Sequence, residues 1–97
     1  MKTLAEISLE YVWLMLFGSD EIIDPDYAVK MQESLPEYFA SMSQEEKAAF
    51  AKAGAEARAR LLADPDEHGY TPRKLVTDEE RVFLDALSSG KIFEEWP

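Results

Sequence analysis

The sequence predicts an all-α fold, a compact bundle of four main helices, from three observations. Helix-start signatures recur along the chain, helix-stop residues follow the apolar segments, and apolar residues return at helical spacing. With 97 residues, 46% of them hydrophobic, the chain has the size of a single domain, residues 1–97, built around one core.

The helix-start signature is a Ser or Thr followed three residues later by Glu. In such a capping box the hydroxyl accepts a hydrogen bond from a first-turn amide, and the Glu carboxylate reaches back to the amide of the capping residue. The pattern occurs at Thr3 with Glu6, Ser34 with Glu37, Ser43 with Glu46, and Thr77 with Glu80. A fifth start is Asp24, followed by Pro25 at a position where no amide hydrogen is needed.

The first helix is predicted over residues 4–17. The run YVWLMLF at 11–17 has the length of a buried strand, but it continues a capping-box segment and ends at Gly18, which favours a helix. Gly18 suits the left-handed position that ends many helices. Because apolar side chains cover nearly all sides of this helix, we expect it to be the hub of the bundle.

The second and third helices are predicted over residues 25–42 and 44–63. Pro36 lies inside the second helix, where proline removes a backbone hydrogen bond, so a kink or a break is expected near Ser34. Small residues along the third helix, Gly54 among them, predict the close approach of a neighbouring helix.

The fourth helix is predicted over residues 78–89, ended by Gly90 in the left-handed conformation. The tail that follows, KIFEEWP, is expected to pack Phe93 and Trp96 on the core. An exposed docking peptide is the alternative for this tail.

Twenty acidic and ten basic residues give a formal net charge of −10. Such a charge disfavours direct contact with nucleic acid or with an anionic membrane surface, and it favours a cationic partner. The charge serves only solubility in the alternative interpretation.

The acids concentrate in loops. The predicted partner-binding residues are Asp20, Glu21, Asp24, Asp26 and Tyr27 after the first helix, and Asp64, Asp66, Glu67 and Tyr70 after the third. Like charges so close together repel one another, and a basic surface would relieve that repulsion. In an up-and-down bundle both loops lie at the same end. The two tyrosines are aromatic anchors for a partner or, alternatively, pack against the bundle.

Few residues offer catalytic or metal-binding chemistry. Cysteine is absent, His68 is the only histidine, and no glycine-rich phosphate loop occurs. Residues 64–69 begin like a calcium loop, but Leu75 stands where a bidentate Glu belongs. We therefore expect that the protein is not an enzyme and that it binds neither a cofactor nor a metal ion.

The compartment expected from the sequence is the cytoplasm. The absence of cysteine fits a reducing environment. Glu6 and Glu10 interrupt the apolar N-terminal segment, no cleavage motif follows Phe17, and the apolar run is too short to cross a bilayer, so neither a signal peptide nor a membrane anchor is predicted.

These observations predict a binding protein that neutralises a basic partner protein, as an immunity protein or antitoxin blocks the active cleft of a toxin. In size, acidity and helical content the chain is similar to the immunity proteins of the DNase colicins, although it has single tyrosines, in DPDYAV and EHGYTP, where those proteins have an adjacent pair. The alternatives are an inhibitor that mimics nucleic acid and a regulatory or structural subunit. The sequence leaves the oligomeric state open.

Overall fold

The chain is organised as five α-helices in the computed structural model, which describes residues 1–62 and 76–95. Helix α1 spans Lys2–Phe17, α2 Pro25–Ser41, α3 Gln44–Leu62, α4 Asp78–Ser89 and α5 Ile92–Glu95. No strand occurs in the described residues. The all-α prediction is confirmed, and the four predicted helices agree with α1 to α4 within two residues at every end.

Three of the predicted helix starts are present. The Asp24 carboxylate accepts from the Tyr27 amide at 3.2 Å, with Pro25 as the first residue of α2. At the start of α3 the Ser43 amide donates to Glu46 at 2.8 Å, and the Glu46 amide donates to the Ser43 hydroxyl at 3.1 Å. Thr77 and Glu80 make the same reciprocal pair at the start of α4.

The other two capping boxes are not formed, which corrects the prediction. Helix α1 begins at Lys2, so Thr3 lies within its first turn and Met1 is a capping residue without a side-chain cap. Ser34 lies in the middle of α2, where its hydroxyl donates to the Lys30 carbonyl at 3.2 Å. Helix α2 is continuous through Pro36, which excludes the break that was one of two alternatives there.

The two helix-ending glycines differ. Gly90 has φ of 83°, the left-handed conformation that was predicted. Gly18 has φ of −67°, so the left-handed prediction is wrong for it. A Cβ at residue 18 would lie 2.5 Å from the Leu14 carbonyl oxygen, so Gly18 is needed for the close turn against α1.

Helices α3 and α4 form the centre of the core. Its fully buried large side chains lie on α3, α4 and α5: Phe50, Phe83, Leu84, Leu87 and Ile92. The predicted close approach at Gly54 is confirmed, because a Cβ there would lie 2.5 Å from Leu87 Cδ2. One exposed ion pair, between Arg58 and Asp85 at 2.6 Å, also joins α3 to α4.

Helix α1 lies at the side of this centre, and the prediction that it is the hub is wrong. Ala5 and Leu9 are its only buried residues, and the side from Val12 to Phe17 packs against the core. Leu4, Ile7 and Tyr11 are about half exposed or more. The described neighbours of α1 are chiefly α3 and α2, so a helix that is apolar on every side keeps one side uncovered.

The C-terminal tail packs on the core over its described part. Ile92 is buried, and the Phe93 ring meets the Phe39 ring edge-on with centroids 5.7 Å apart. The Lys47 amine lies 5.9 Å from the Phe93 ring centroid on the α3 side. Trp96, the other predicted tail contact, lies outside the described residues. No helix in the described part of the chain is both long and apolar enough to cross a membrane.

Candidate partner-binding surface

The connection between α1 and α2 is a tight turn that places two carboxylates at its tip. The Gly18 amide closes α1 by donating to the Leu14 carbonyl at 2.8 Å. The Ser19 carbonyl then accepts from the amides of Ile22 and Ile23, at 3.0 and 3.1 Å. Asp20 and Glu21 are the residues enclosed by this turn, and both are exposed.

The predicted carboxylates of this loop have two different roles. Asp24 is occupied as the cap of α2. Asp20, Glu21 and Asp26 are exposed, and none of them forms an ion pair with the residues of ranges 1–62 and 76–95. Asp26 lies in the first turn of α2, where the helix dipole favours a negative charge by about 0.3 to 1 kcal/mol. No such compensation is available to Asp20 and Glu21.

Exposed apolar side chains adjoin these acids. Ile22 is 71% exposed and Tyr27 is 50% exposed. Packing against the bundle was the alternative for Tyr27, and half of this residue is left open to solvent. We call Asp20, Glu21, Ile22, Asp26 and Tyr27 the acidic loop surface. A surface of this composition can offer charge to a cationic side chain and an aromatic face beside it.

The second predicted cluster, comprising Asp64, Asp66, Glu67 and Tyr70, falls in residues 63–75 and lies outside the described residues. The prediction that both clusters share one end of the bundle therefore remains a prediction. His68 and the calcium-like spacing that begins at Asp64 fall in the same range.

A groove between α1 and α2 was not predicted from the sequence. Its volume is about 440 Å³, within the roughly 300 to 1,000 Å³ of typical ligand pockets. The core residues Leu35, Phe39 and Phe50 form its floor, and the exposed side chains of Ile7, Tyr11 and Tyr38 stand at its sides. The uniform hydrophobicity of α1 was the only signal of this groove, and it was interpreted as full burial.

One side-chain hydrogen bond joins α1 to α2. The Gln32 side-chain amide donates to the Met15 carbonyl at 2.8 Å, near the C-terminal end of α1. A second depression, of about 200 Å³, shares Ser8, Met42 and Glu46 with the groove and extends it to Met1 and Leu4. The groove therefore follows the exposed stripe of α1, which we define as Leu4, Ile7 and Tyr11.

An ionised carboxylate lies where the two depressions meet. Hydrogen bonds from the Ser43 amide and then from the Ser43 side chain hold the pKa of Glu46 below its ordinary value. Glu46 therefore stays negatively charged through neutral and mildly acidic pH. Over their whole length, residues 1–42 carry eight acids and two bases, namely Glu6, Glu10, Asp20, Glu21, Asp24, Asp26, Glu33 and Glu37 against Lys2 and Lys30.

A further cavity of about 240 Å³ lies between α1, α3 and the start of α4, beside Trp13, Leu61 and Val76. Its one buried carboxylate, Glu80, accepts the Thr77 amide at 2.9 Å and so serves the cap of α4.

Comparison with protein-family models, with curated proteins and with solved structures finds no match to this chain.

Proposed function

We propose that this protein binds and neutralises a basic partner protein through the acidic loop surface. One observation supports the proposal above the others: Asp20 and Glu21 are held at the tip of a tight turn, exposed and without a cationic partner in the described part of the chain. A partner lysine or arginine would relieve the repulsion between them.

The neighbouring side chains suit a protein partner. Binding energy at protein interfaces concentrates in a few residues, often aromatic, surrounded by polar contacts. Tyr27 and Ile22 provide exposed apolar area beside the carboxylates. A complementary electrostatic field also raises the association rate by about 10- to 1,000-fold at low salt.

The most concrete form of the proposal is an immunity protein or antitoxin in the cytoplasm. The absence of cysteine fits this compartment, because disulfide bonds do not persist there. A toxin that acts on nucleic acid or nucleotides needs a cationic cleft for phosphates, and an acidic domain is complementary to such a cleft. Fast association matters for this role, because the toxin must be bound before it acts.

Mimicry of nucleic acid has less support. A mimic needs carboxylates distributed over a long face, whereas α3 carries Glu45, Glu46 and Glu56 against Lys47, Lys52, Arg58 and Arg60. The negative field is therefore local to other parts of the surface.

The proposal is tested with a charge reversal in the loop. Asp20→Lys with Glu21→Lys changes the formal net charge from −10 to −6 and leaves the Asp24 cap intact. The matched control is Glu6→Lys with Glu94→Lys, an equal charge change at exposed sites outside the loop. The partner is first captured from the native cells on the immobilised chain and identified by mass spectrometry.

We expect the loop variant to associate at least about tenfold more slowly at low salt, and with a weaker salt dependence, while the control changes much less. Circular dichroism should be the same for all three chains. The captured protein should arrest growth when expressed alone and be harmless when co-expressed with this chain. Equal association rates for all three chains would contradict the proposal.

A further inference from the structure

We infer that the groove between α1 and α2 receives an amphipathic helix of the partner, with an apolar face toward the groove and Lys or Arg along its flanks. The inference rests on the proposed function for the basic character of the partner. It assigns a second contact surface, separate from the acidic loop surface, and it specifies the secondary structure of the segment bound there.

The apolar surface of the groove has the spacing of a helix partner. Leu4, Ile7 and Tyr11 follow one face of α1 at i, i+3 and i+7, a span of about 10 Å at 1.5 Å per residue. A bound helix that lies along α1 presents its own i, i+3 or i+4, and i+7 side chains over the same span. The groove and the depression that extends it cover this whole stripe.

The sides of the groove are exposed although its floor belongs to the core. Phe39 and Phe50 are only 3% and 2% exposed, while Tyr11 and Tyr38 are 63% and 58% exposed. Apolar side chains inserted between the two tyrosines would contact the buried rings directly. Burying this apolar area in the complex would favour binding.

The charge around the groove selects the occupant. Glu46 lies in the groove wall and stays ionised, and no basic residue is among the described residues that line the groove. A second copy of this chain would bring the same negative charge, −10 in total, against this face. A helix flanked by Lys and Arg is attracted to it instead.

A synthetic 14-residue peptide tests the inference directly. The probe carries leucines at positions 3, 6, 10 and 13, lysines on its flanks and alanines elsewhere. One control peptide has the same composition with the leucines dispersed around the helix, and another replaces every lysine by glutamate. Binding is measured by fluorescence anisotropy of the labelled peptide at two salt concentrations.

We expect the probe to bind and both control peptides to bind at least about tenfold more weakly. Tyr38→Ser should weaken binding of the probe by about tenfold or more, and Ile7→Ser should weaken it in the same direction. Val29→Ser is the control, an exposed apolar residue on α2 outside both the groove and the acidic loop surface, and it should bind the probe as the natural chain does. Circular dichroism should confirm that all three variants keep their helices.

Equal binding of the dispersed-leucine peptide would overturn the inference, because attraction to the acidic chain alone would then explain binding. Unchanged binding by both groove variants would overturn it as well. So would sedimentation showing that the chain forms dimers that Tyr38→Ser dissociates.

The same variants separate this inference from the proposed function. If the natural partner binds Tyr38→Ser normally but not the chain with Asp20→Lys and Glu21→Lys, the groove inference fails and the proposed function stands. If the probe binds in the groove but no basic protein is captured from the native cells, the proposed function fails while the groove chemistry stands.

Discussion

At residue 54 the lack of a side chain sets the distance between α3 and α4. A Cβ on Gly54 would lie 2.5 Å from Leu87 Cδ2 and 2.6 Å from Leu87 Cγ. Because Cγ is close to the Leu87 backbone and Leu87 is fully buried, a rotation of the side chain tip cannot relieve this contact. The two helices would have to move apart.

We predict that Gly54→Ala destabilises the protein by about 1 kcal/mol. Alanine gains about 1 kcal/mol of helix propensity over glycine, but overpacking a core costs about 1 to 3 kcal/mol. The overpacking cost is therefore the larger effect. The free energy of unfolding from urea titration measures the difference.

The control for this prediction is Ala55→Gly, an exposed site on the same helix. It should lose about 1 kcal/mol from propensity alone. Loss of stability in both directions of the Gly and Ala exchange is the expected signature of close packing at residue 54. A Gly54→Ala protein more stable than the natural chain would contradict it.

At the scale of the element, α2 contains a residue that destabilises a helix, the interior proline Pro36. Pro36 has no amide hydrogen for the carbonyl four residues before it, yet α2 continues to Ser41. The helix is retained because its buried residues Ala28, Leu35 and Phe39 are held against the core. Pro25, at the first position of the same helix, has no such cost, since no hydrogen bond is expected from that amide.

We predict that Pro36→Ala raises the free energy of unfolding by about 1 to 3 kcal/mol. Restoring a helix-interior amide and removing the ring gains about 3 kcal/mol, whereas the greater freedom of the unfolded chain costs about 0.4 to 1 kcal/mol. The first effect is the larger, and a gain of 1 kcal/mol corresponds to a rise of about 4 to 8 °C in Tm.

Pro25→Ala is the matched control for this change and should not raise the stability, because it restores no helical hydrogen bond. Calorimetry of the two variants and of the natural chain measures the three Tm values to be compared. A decrease of Tm in Pro36→Ala would show that the proline is favoured by a contact specific to its ring.

The ends of the helices were predictable from the sequence because their causes are local. Asp24 with Pro25, Ser43 with Glu46, and Thr77 with Glu80 each lie within four residues of one another, and all three form as expected. The same reasoning failed at Thr3 and Ser34, because a signature inside a helix looks identical to one at its start. The Ser34 hydroxyl instead donates a hydrogen bond to the Lys30 carbonyl within the same helix.

The exposed faces were less predictable because they depend on neighbours distant in sequence. Nothing within α1 distinguishes the covered Leu9 and Val12 from the uncovered Ile7 and Tyr11; the position of α3 decides it. The exposure of Asp20 and Glu21 could be predicted from their chemistry alone. The groove could not, since it requires the separation of two helices and the position of Phe50 beneath them.

At the scale of the whole molecule, the described chain has a fully buried centre and a less buried periphery. The side chains of all five helices contribute to one buried cluster, but the completely buried ones lie on α3, α4 and α5. Helix α2 lies at the periphery of this centre. Its main contacts are with α1, through the Gln32 hydrogen bond among others, and with α5, through Phe39 and Phe93.

Because α2 is peripheral, we expect it to unfold locally, as one unit, at a lower free energy than the rest of the described chain. Proteins exchange their amide hydrogens through such partial openings, and segments with few buried contacts need the least free energy. In native-state hydrogen exchange monitored by NMR, the amides of α2 should therefore exchange at a lower free energy than those around Leu84 and Leu87. Identical protection in both segments would show a single cooperative transition. If α2 does open separately, an occupant that contacts both α1 and α2 would hold α2 in place and raise the free energy of that opening.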